Sequence, residues 1–226
     1  MKSLILIPAR GGSKGIPHKN IKLLNGKPLI YYSIDVARAI ADDADICVST
    51  DDREIIECVE KTGLKVPFIR PKEFASDTAT TGDVIIHALD FFKKQRKQYD
   101  NVVLLQPTSP LRKAEQVKEA MLLYRDDIDM VVSVKQSFAS VVTFKENTEG
   151  FLEHAFDVSK GVRRQDALPL YEYNGAIYVI NSERICRVGL SQLTKIVKYI
   201  MPESDSADID NMVDWKLCEF LLSERN

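Results

Sequence analysis

Short apolar runs alternate along this chain with segments whose apolar residues recur every three or four positions. Residues 4–7 form the first run, and Ile30, Ile34 and Ala37 would then share one face of a helix. Strands separated by helices are typical of a parallel sheet with helices on both faces. The pattern therefore predicts an α/β fold, with a Rossmann-like, doubly wound and mostly parallel sheet. With 226 residues the chain has room for one such core and a small addition.

The pattern also predicts the individual elements. Apolar runs predict strands at residues 4–7, 46–48, 66–69, 102–105, 130–134 and 176–180. Helical periodicity predicts helices that contain Ile30 and Ile55, and helices over residues 80–98, 114–124 and 212–222. Because residues 102–105 are all apolar, we expect their strand to lie inside the sheet. Asp51, with Glu54 three residues later, resembles a capping arrangement at the start of the Ile55 helix.

Residues 135–173 interrupt this alternation. They include four phenylalanines with no single hydrophobic period, namely Phe138, Phe144, Phe151 and Phe156. Long segments of this kind are usually functional, and aromatic side chains away from the core need cover. We therefore expect residues 135–173 to form a dimerisation arm that packs against a second copy of the protein, with residues 1–134 and 174–226 as the main domain. A self-contained lid is the alternative.

Charge is unevenly distributed, although the net charge is only -2. Residues 1–34 contain six basic side chains and no acidic one, whereas residues 202–215 contain five acidic side chains and no basic one. The small net charge argues against general nucleic-acid binding, while the two segments suit an anion and a cation respectively. No apolar run approaches the roughly 20 residues of a membrane helix, and no apolar signal segment precedes Ser3. We therefore expect a cytoplasmic protein with no membrane partner.

The loop after the first predicted strand has the composition of a phosphate site. Residues 9–15 read Ala-Arg-Gly-Gly-Ser-Lys-Gly. Ligands of parallel sheets bind at the carboxyl ends of the strands, and glycines let backbone N–H groups approach a phosphate whose charge Arg10 and Lys14 would balance. The spacing fits neither the Walker loop nor the GxGxxG fingerprint of dehydrogenases. A plain tight turn is the alternative, but its clustered cations would repel one another, so we predict a nucleoside triphosphate ligand.

Longer motifs carry a family resemblance. Residues 7–20 read Ile-Pro-Ala-Arg-Gly-Gly-Ser-Lys-Gly-Ile-Pro-His-Lys-Asn, which closely resembles the opening signature of the acylneuraminate cytidylyltransferases, the CMP-sialic acid synthetases. Further matches to this family follow in order along nearly the whole chain: Ser49-Thr50-Asp51, Ile69-Arg70-Pro71, Ala75-Ser76-Asp77-Thr78, Leu105-Gln106-Pro107-Thr108-Ser109-Pro110-Leu111-Arg112, Arg164-Gln165, Asn174-Gly175-Ala176-Ile177-Tyr178 and Asp208-Ile209-Asp210. So many motifs in one order are far more specific than any one of them.

The resemblance implies a site for CTP. The residues that match family positions holding the triphosphate and ribose of CTP are Arg10, Ser13, Lys14, Lys19 and Asn20. Lys19 and Arg10 would also act in catalysis, because their charges can stabilise the phosphates during transfer. Arg70 matches a position near the nucleotide. The alternative is that Arg70 forms an ion pair at the protein surface.

The resemblance also implies a site for a sugar acid. Gln106 matches a position that faces the sugar, and Arg164 matches the residue that pairs with the sugar carboxylate, for which the planar guanidinium is well suited. Gln165 and Asn174 belong to matching motifs, and we assign both to substrate binding. Many relatives carry a second basic residue just before Asn174, where this chain has Glu172 and Tyr173. That departure leaves the identity of the sugar open.

Asp208 and Asp210 stand two residues apart before the last predicted helix. In an extended segment they would point to the same face, so both carboxylates could meet one Mg²⁺ cluster. Asp210 could instead cap the helix that begins near Met212. In the family this pair binds metal, so the resemblance implies Mg²⁺ as the cofactor and Asp208 and Asp210 as catalytic metal ligands.

Taken as a whole, the resemblance implies transfer of CMP from CTP to a nine-carbon 2-keto sugar acid, with release of pyrophosphate. Among the acceptors N-acetylneuraminate comes first, followed by legionaminate and the deaminated sialic acid. The eight-carbon sugar acid of lipopolysaccharide ranks low, because the opening loop of its cytidylyltransferases lacks the Gly-Ser-Lys-Gly run of residues 12–15. A non-catalytic nucleotide-binding module is the alternative from another class of protein, but Lys19, Asp208 and Asp210 are all present.

Overall fold

The computed structural model describes residues 1–13, 15–137, 143–156 and 169–225. Within these ranges the strands and α-helices are, in chain order, β1 (Ser3–Pro8), β2 (Leu23–Leu24), β3 (Lys27–Pro28), α1 (Leu29–Arg38), β4 (Ile46–Ser49), α2 (Arg53–Glu60), α3 (Thr81–Lys94), β5 (Asn101–Leu104), α4 (Ala114–Leu122), β6 (Met130–Ser137), β7 (Phe144–Glu146), β8 (Leu152–His154), β9 (Leu170–Asn181), α5 (Ser182–Val188), β10 (Ile196–Ile200) and α6 (Met212–Ser223).

A six-stranded sheet forms the centre of the protein, in the order β10-β6-β9-β5-β1-β4. β1 pairs in parallel with β4 and β5, and β10 pairs in parallel with β6. Only β9 runs in the opposite direction among these strands, since it is antiparallel to both β5 and β6. The predicted α/β fold with a mostly parallel sheet is therefore confirmed. The apolar strand β5 lies between β9 and β1, inside the sheet as expected.

Helices cover both faces of the sheet. In β1, Ile5 and Ile7 point into the core formed with α1, α2 and α4, whereas Leu4 and Leu6 point into the core formed with α3 and α5. This alternation follows from the two-residue period of a strand and explains why a buried parallel strand is apolar throughout. The last helix, α6, packs through Trp215 in a third cluster beside the loop that follows β1.

The predicted strand at residues 66–69 is wrong. Only one parallel bridge forms there, between Thr50 and Ile69 at the outer side of β4. Pro67 has no N–H to donate to a neighbouring strand, so the segment cannot form a continuous ladder. Its backbone is nevertheless held at Arg70, whose N–H donates to the carbonyl of Thr50 at 2.7 Å.

Two further details correct the predictions. Asp52, and not Asp51, caps α2, because its carboxylate accepts from the N–H groups of Glu54 at 2.8 Å and Ile55 at 3.3 Å. The sequence pattern also missed α5 and β10. β10 is an edge strand in which half-buried residues alternate with exposed ones, so it lacks a continuous apolar run.

Residues 135–173, the predicted arm, begin and end in two strands inside the central sheet, β6 and β9. β6 continues to Ser137 and β9 begins at Leu170, with Lys135 opposite Glu172, so both ends of residues 135–173 belong to the main sheet. Between them, β7 and β8 form a separate antiparallel pair. Phe144 in β7 and Phe151, just before β8, are exposed by 46% and 66%. Phe138 lies outside the described residues.

Candidate functional site

Two glycines shape the loop that leaves β1. The N–H of Gly11 donates to the carboxylate of Asp51 at 3.1 Å, and a Cβ at Gly11 would lie 2.9 Å from the Cβ of Asp52. At Gly15 an added Cβ would overlap the backbone carbonyl oxygen of Asp210. Only glycine therefore lets this loop approach α2 on one side and the acidic segment on the other.

Asn20 and Lys19 fix the end of the same loop. Asn20 is buried and donates from Nδ2 to the carbonyl of Arg10 at 3.0 Å. Lys19 donates from Nζ to the carbonyl of Ile209 at 2.6 Å, which joins the basic loop to the acidic segment. Both side chains lie in a short 3₁₀ turn (Lys19–Ile21) that follows His18 in the left-handed conformation, with φ of 52°.

The two arginines near the loop differ in exposure. Arg10 is about 40% exposed and its Nη1 lies 3.2 Å from Asp77. Arg70 is 4% exposed, and it donates to the hydroxyl and the carbonyl of Ser49. Burial lowers the pKa of Arg70, while the nearby carboxylate of Asp51 opposes that shift. Arg70 is thus a fixed wall residue, whereas Arg10 can reorient toward a ligand.

A cavity of about 520 Å³ opens where these elements meet, at the carboxyl ends of β1 and β5. Its described lining includes the predicted residues Arg10, Ser13, Lys19, Asn20, Arg70, Gln106 and Asp210. The remaining polar wall includes Ser76, Asp77, Thr80, Thr81 and Thr108. The start of α3 at Thr81 adds a helix N-terminus, whose partial positive charge favours anions.

Gln106 and Asp208 meet at the backbone of Gly175. Gly175 has φ of 73°, and a Cβ there would lie 3.2 Å from Oδ2 of Asp208 and 3.4 Å from Oε1 of Gln106. Burial raises the pKa of Asp208, a hydrogen bond with the Thr108 side chain opposes this, and the negative charge of Asp210 raises the pKa further. Within the described residues, Oδ1 of Asp208 is buried without a hydrogen-bond partner.

Asp210 does not cap α6. Asn211 is the cap, accepting from the N–H groups of Val213 at 2.7 Å and Asp214 at 3.2 Å. The carboxylate of Asp214 in turn accepts from the N–H groups of Asp210 and Asn211, both at 2.9 Å. The Asp210 side chain is exposed toward the cavity and is left available for a ligand.

A second cavity of about 350 Å³ adjoins the first and shares Gln106 and Thr81 with it. Its wall is largely apolar and includes Leu104, Met130, Leu190, Leu193 and Ile196. Tyr178 and Tyr173 complete it. Burial and then the charge of Asp208 raise the pKa of Tyr178 to about 12.

Asn174 is not among the described residues that line these cavities. Asn174 is 3% exposed and is engaged within the protein: its Oδ1 accepts from Ser133 at 2.6 Å, and its Nδ2 donates to Ser206 at 2.9 Å. These bonds favour a role in tying β9 to the segment before Asp208, and substrate binding by Asn174 stays a prediction. Lys14, Arg164 and Gln165 lie outside the described residues.

Sequence reasoning missed several wall residues. Ser76, Asp77 and Tyr178 all belong to motifs that match the family, yet none was given a role. The run of hydroxyl and acidic residues over 76–81, just before a helix, was a usable signal for a polar rim. Tyr178 had no such signal, because its apolar neighbours in β9 suggest a buried core position.

Solved structures resemble this fold closely. A structure of CMP:2-keto-3-deoxy-manno-octonic acid synthetase complexed with CTP superposes with a TM-score of 0.71 over 100% of both chains at 18% identity. The 4-diphosphocytidyl-2C-methyl-D-erythritol synthase of Anaerococcus prevotii gives a TM-score of 0.65 at 13% identity, covering 98% of this chain and 99% of that one. This chain therefore shares its fold with these two structures.

Sequence comparison gives the family. A family model described as Cytidylyltransferase matches residues 4–193, and the chain belongs to that family. An N-acylneuraminate cytidylyltransferase of Streptococcus agalactiae is 38% identical over 95% of this chain. The chain spans about half the length of that relative, 52%. A CMP-N,N'-diacetyllegionaminic acid synthase of Legionella pneumophila is 34% identical, and a pseudaminic acid cytidylyltransferase of Campylobacter jejuni 32%, each with 98% of this chain and at least 96% of the relative covered.

The approach of Gly15 to the Asp210 carbonyl is testable. Gly15→Ala should lower the free energy of unfolding by about 1–3 kcal/mol, because the methyl group must displace backbone. Gly12→Ala is the matched control, since no atom lies within 4 Å of its added Cβ, and it should change stability by less than about 0.5 kcal/mol. Urea unfolding measures both. Equal stabilities of the two variants would contradict the close approach.

Proposed function

We propose that this protein transfers CMP from CTP to a nine-carbon 2-keto sugar acid and releases pyrophosphate. The observation that carries this proposal is one cavity bounded by a basic glycine loop and by an acidic segment, joined through Lys19 and the Ile209 carbonyl. An anionic nucleotide fits the first wall, and a cation that accompanies it fits the second. Membership of the cytidylyltransferase family supports the same reaction.

The triphosphate would lie along the loop after β1. Ser13 and Asn20 line the cavity there, and Arg10 and Lys19 bring positive charge to it. Lys14 would add another cation. During transfer, negative charge grows on the phosphoryl oxygens and on the leaving pyrophosphate, so these cations would stabilise the transition state more than the ground state. Arg70, held by Ser49, would form the rigid wall on the nucleotide side.

We propose that Asp208 and Asp210 hold Mg²⁺. Two features fit such an ion: the buried Oδ1 of Asp208, which has no partner among the described residues, and the exposed side chain of Asp210 on the cavity wall. Among the described residues no group of three or more His, Cys, Asp or Glu side chains is placed to hold a metal. Magnesium commonly takes one or two carboxylates together with substrate phosphates. When bound, the ion would neutralise phosphate charge and so favour transfer.

The sugar acid would lie between the acidic segment and the second cavity. Its anomeric hydroxyl attacks the α-phosphorus of CTP, so no covalent enzyme intermediate is needed. Gln106 borders both cavities and would orient the sugar, and one carboxylate of the aspartate pair would accept the proton of the attacking hydroxyl. Arg164 and Gln165 keep their predicted roles toward the sugar carboxylate. The protein mainly positions groups and supplies charge.

Among acceptors we propose N-acetylneuraminate first. The S. agalactiae relative with 38% identity is named for N-acylneuraminate, and the apolar wall of the second cavity suits the methyl group of an acylamido substituent. Legionaminate and pseudaminate also carry acylamido groups and are the next candidates, supported by the Legionella and Campylobacter relatives. The deaminated sialic acid and the eight-carbon acid lack the group that this wall suits. A non-catalytic nucleotide-binding module is the remaining alternative.

We also propose a cytoplasmic location, because CTP is a cytoplasmic nucleotide. Within the part of the chain that the structure describes, no helix has the length and apolar character to cross a membrane.

Pyrophosphate release tests the proposed reaction. CTP and Mg²⁺ with N-acetylneuraminate should release pyrophosphate and form CMP-sugar, whereas CTP without an acceptor should not. Parallel reactions with legionaminate, pseudaminate, the deaminated acid and the eight-carbon acid rank the acceptors by kcat/KM. The deaminated acid should fall roughly tenfold or more below N-acetylneuraminate, since one buried apolar group is worth about 1–3 kcal/mol. Binding of CTP with no release of pyrophosphate in the presence of any of these acceptors would support the non-catalytic module.

Asp210→Asn tests the metal ligand. The exchange keeps the shape of the side chain and leaves the Asn211 cap intact, so the protein should fold. It removes a charge that would hold Mg²⁺, so kcat should fall roughly a hundredfold, with only partial recovery at high Mg²⁺. Glu203→Gln removes one charge from the same acidic stretch at an exposed position and serves as the control. Parent-like turnover by Asp210→Asn would exclude Asp210 as a ligand.

We propose that the arm makes the protein a homodimer. A two-stranded pair such as β7–β8 is marginally stable alone, and its exposed phenylalanines gain stability when a partner covers them. Light scattering at micromolar concentration should give twice the chain mass of 25.6 kDa. Phe144→Asp with Phe151→Asp should give the monomer mass, whereas Phe220→Asp, at a 60% exposed position on α6, should not. A monomeric parent protein would refute the proposal.

A further inference from the structure

Arg112 is a buried cation behind the candidate site. Only 4% of its surface is exposed, and its guanidinium donates to the Ser33 hydroxyl at 2.6 Å, the Ala176 carbonyl at 2.6 Å and the Gln106 carbonyl at 3.2 Å. No carboxylate of the described residues pairs with it, and Nε has no partner there. Burial lowers its pKa to about 9.

Such an arginine is costly to the fold. A buried charge without an opposite charge loses its hydration and recovers only part of it from neutral acceptors. An apolar side chain of similar size would fill the same space at a lower cost. What the guanidinium provides instead is a rigid planar fork of donors that can hold several acceptors in one fixed arrangement.

The acceptors that it holds belong to the segments around Asp208. Gln106 lies just after β5 and lines the cavity. Ala176 follows Gly175, where an added Cβ would meet the side chains of both Gln106 and Asp208. In this stretch the pairing of β6 with β9 shifts register between Val132 and Val134. β9 is irregular where Asp208 approaches it, so the sheet ladder alone does not fix this part of the backbone.

The loop after β5 is held at a second point. The carbonyl of Thr108 accepts from the N–H of Ile209 at 2.8 Å, which ties the loop directly to the residue between the two aspartates. Arg112 therefore fixes one end of the loop, at Gln106, and the acidic segment is attached at the other, at Thr108. A displacement of the Gln106 backbone would be passed on to the acidic segment.

We infer that Arg112 is a positioning residue for CMP transfer, acting through the backbone at Gln106 and Ala176 to set Gln106 against Asp208. The inference rests on the proposed function. Arg112 is not among the described residues that line either cavity, so its effect is exerted through these neighbours. It acts on the sugar side of the site, whereas the basic loop that would bind CTP is held by the separate bonds of Asn20 and Asp51.

Arg112→Lys tests this role, because lysine keeps the charge but cannot hold three divergent acceptors. The transfer rate is measured with CTP and with the best acceptor of the parent protein. We expect kcat to fall roughly tenfold or more and the KM for the sugar acid to rise about fivefold, while the KM for CTP changes by less than about twofold. A role in stability alone would not separate the two KM values.

Arg38→Lys is the matched control. The Arg38 guanidinium donates to the Asp43 carboxylate at 2.8 Å and to the Thr62 carbonyl at 3.0 Å, and Arg38 is not among the described residues that line either cavity. Its variant should lose thermal stability and keep the parent kinetics below its melting temperature. If folded Arg112→Lys kept the parent kcat, or raised both KM values equally, the positioning role would be refuted.

Two further results complete the test. If Arg112→Lys does not fold, Ser33→Ala replaces it, since it removes one acceptor of the guanidinium and a hydroxyl that itself donates to the Gln106 carbonyl at 3.3 Å, without touching either cavity. It should lower kcat about two- to fivefold with the KM for CTP unchanged, and parent-like kinetics would refute the inference. A parent protein that transfers CMP to no sugar acid would instead refute the proposed function itself.

Discussion

The hydrogen bond from Lys19 to the carbonyl of Ile209 is the contact on which the site depends. It joins residues 190 positions apart and brings a loop rich in basic residues against an acidic segment. A bond from a charged donor is worth about 1.5–3 kcal/mol, which is enough to favour one placement of a surface loop over others. Gly15 adds the second condition, because any side chain there would separate the two segments.

The site has two sides of different charge, one next to β1 and the other next to the antiparallel strand β9. On the β1 side the loop is shaped by glycines and by the carboxylates of Asp51 and Asp52, whereas on the β9 side Gly175 lets Gln106 and Asp208 come together. The first half presents positive charge to an anion and the second presents negative charge. The two halves are supported by different parts of the fold, so substitutions can affect them independently.

Much of the fold could be predicted from the sequence, since β1 and β5 are continuous apolar runs and the buried faces of α1 and α3 show a helical period. The basic loop and the aspartate pair could also be predicted from their chemistry, whereas Gln106 could be predicted only from its match to the family motif. The cap at Asp52 could not be distinguished from Asp51, since two adjacent aspartates are equally good caps and only the backbone geometry decides. Asn174 was equally ambiguous, because an amide can serve a ligand or the protein with the same atoms.

All six strands of the central sheet end by Ile200, before Asp208 is reached along the chain. Sheet formation brings the two sides of this 190-residue separation together, so the contact then requires ordering only of the residues between Pro8 and Lys19 and between Ile200 and Ile209. Signals of secondary structure during refolding report the sheet, and they do not by themselves report the docking of the acidic segment.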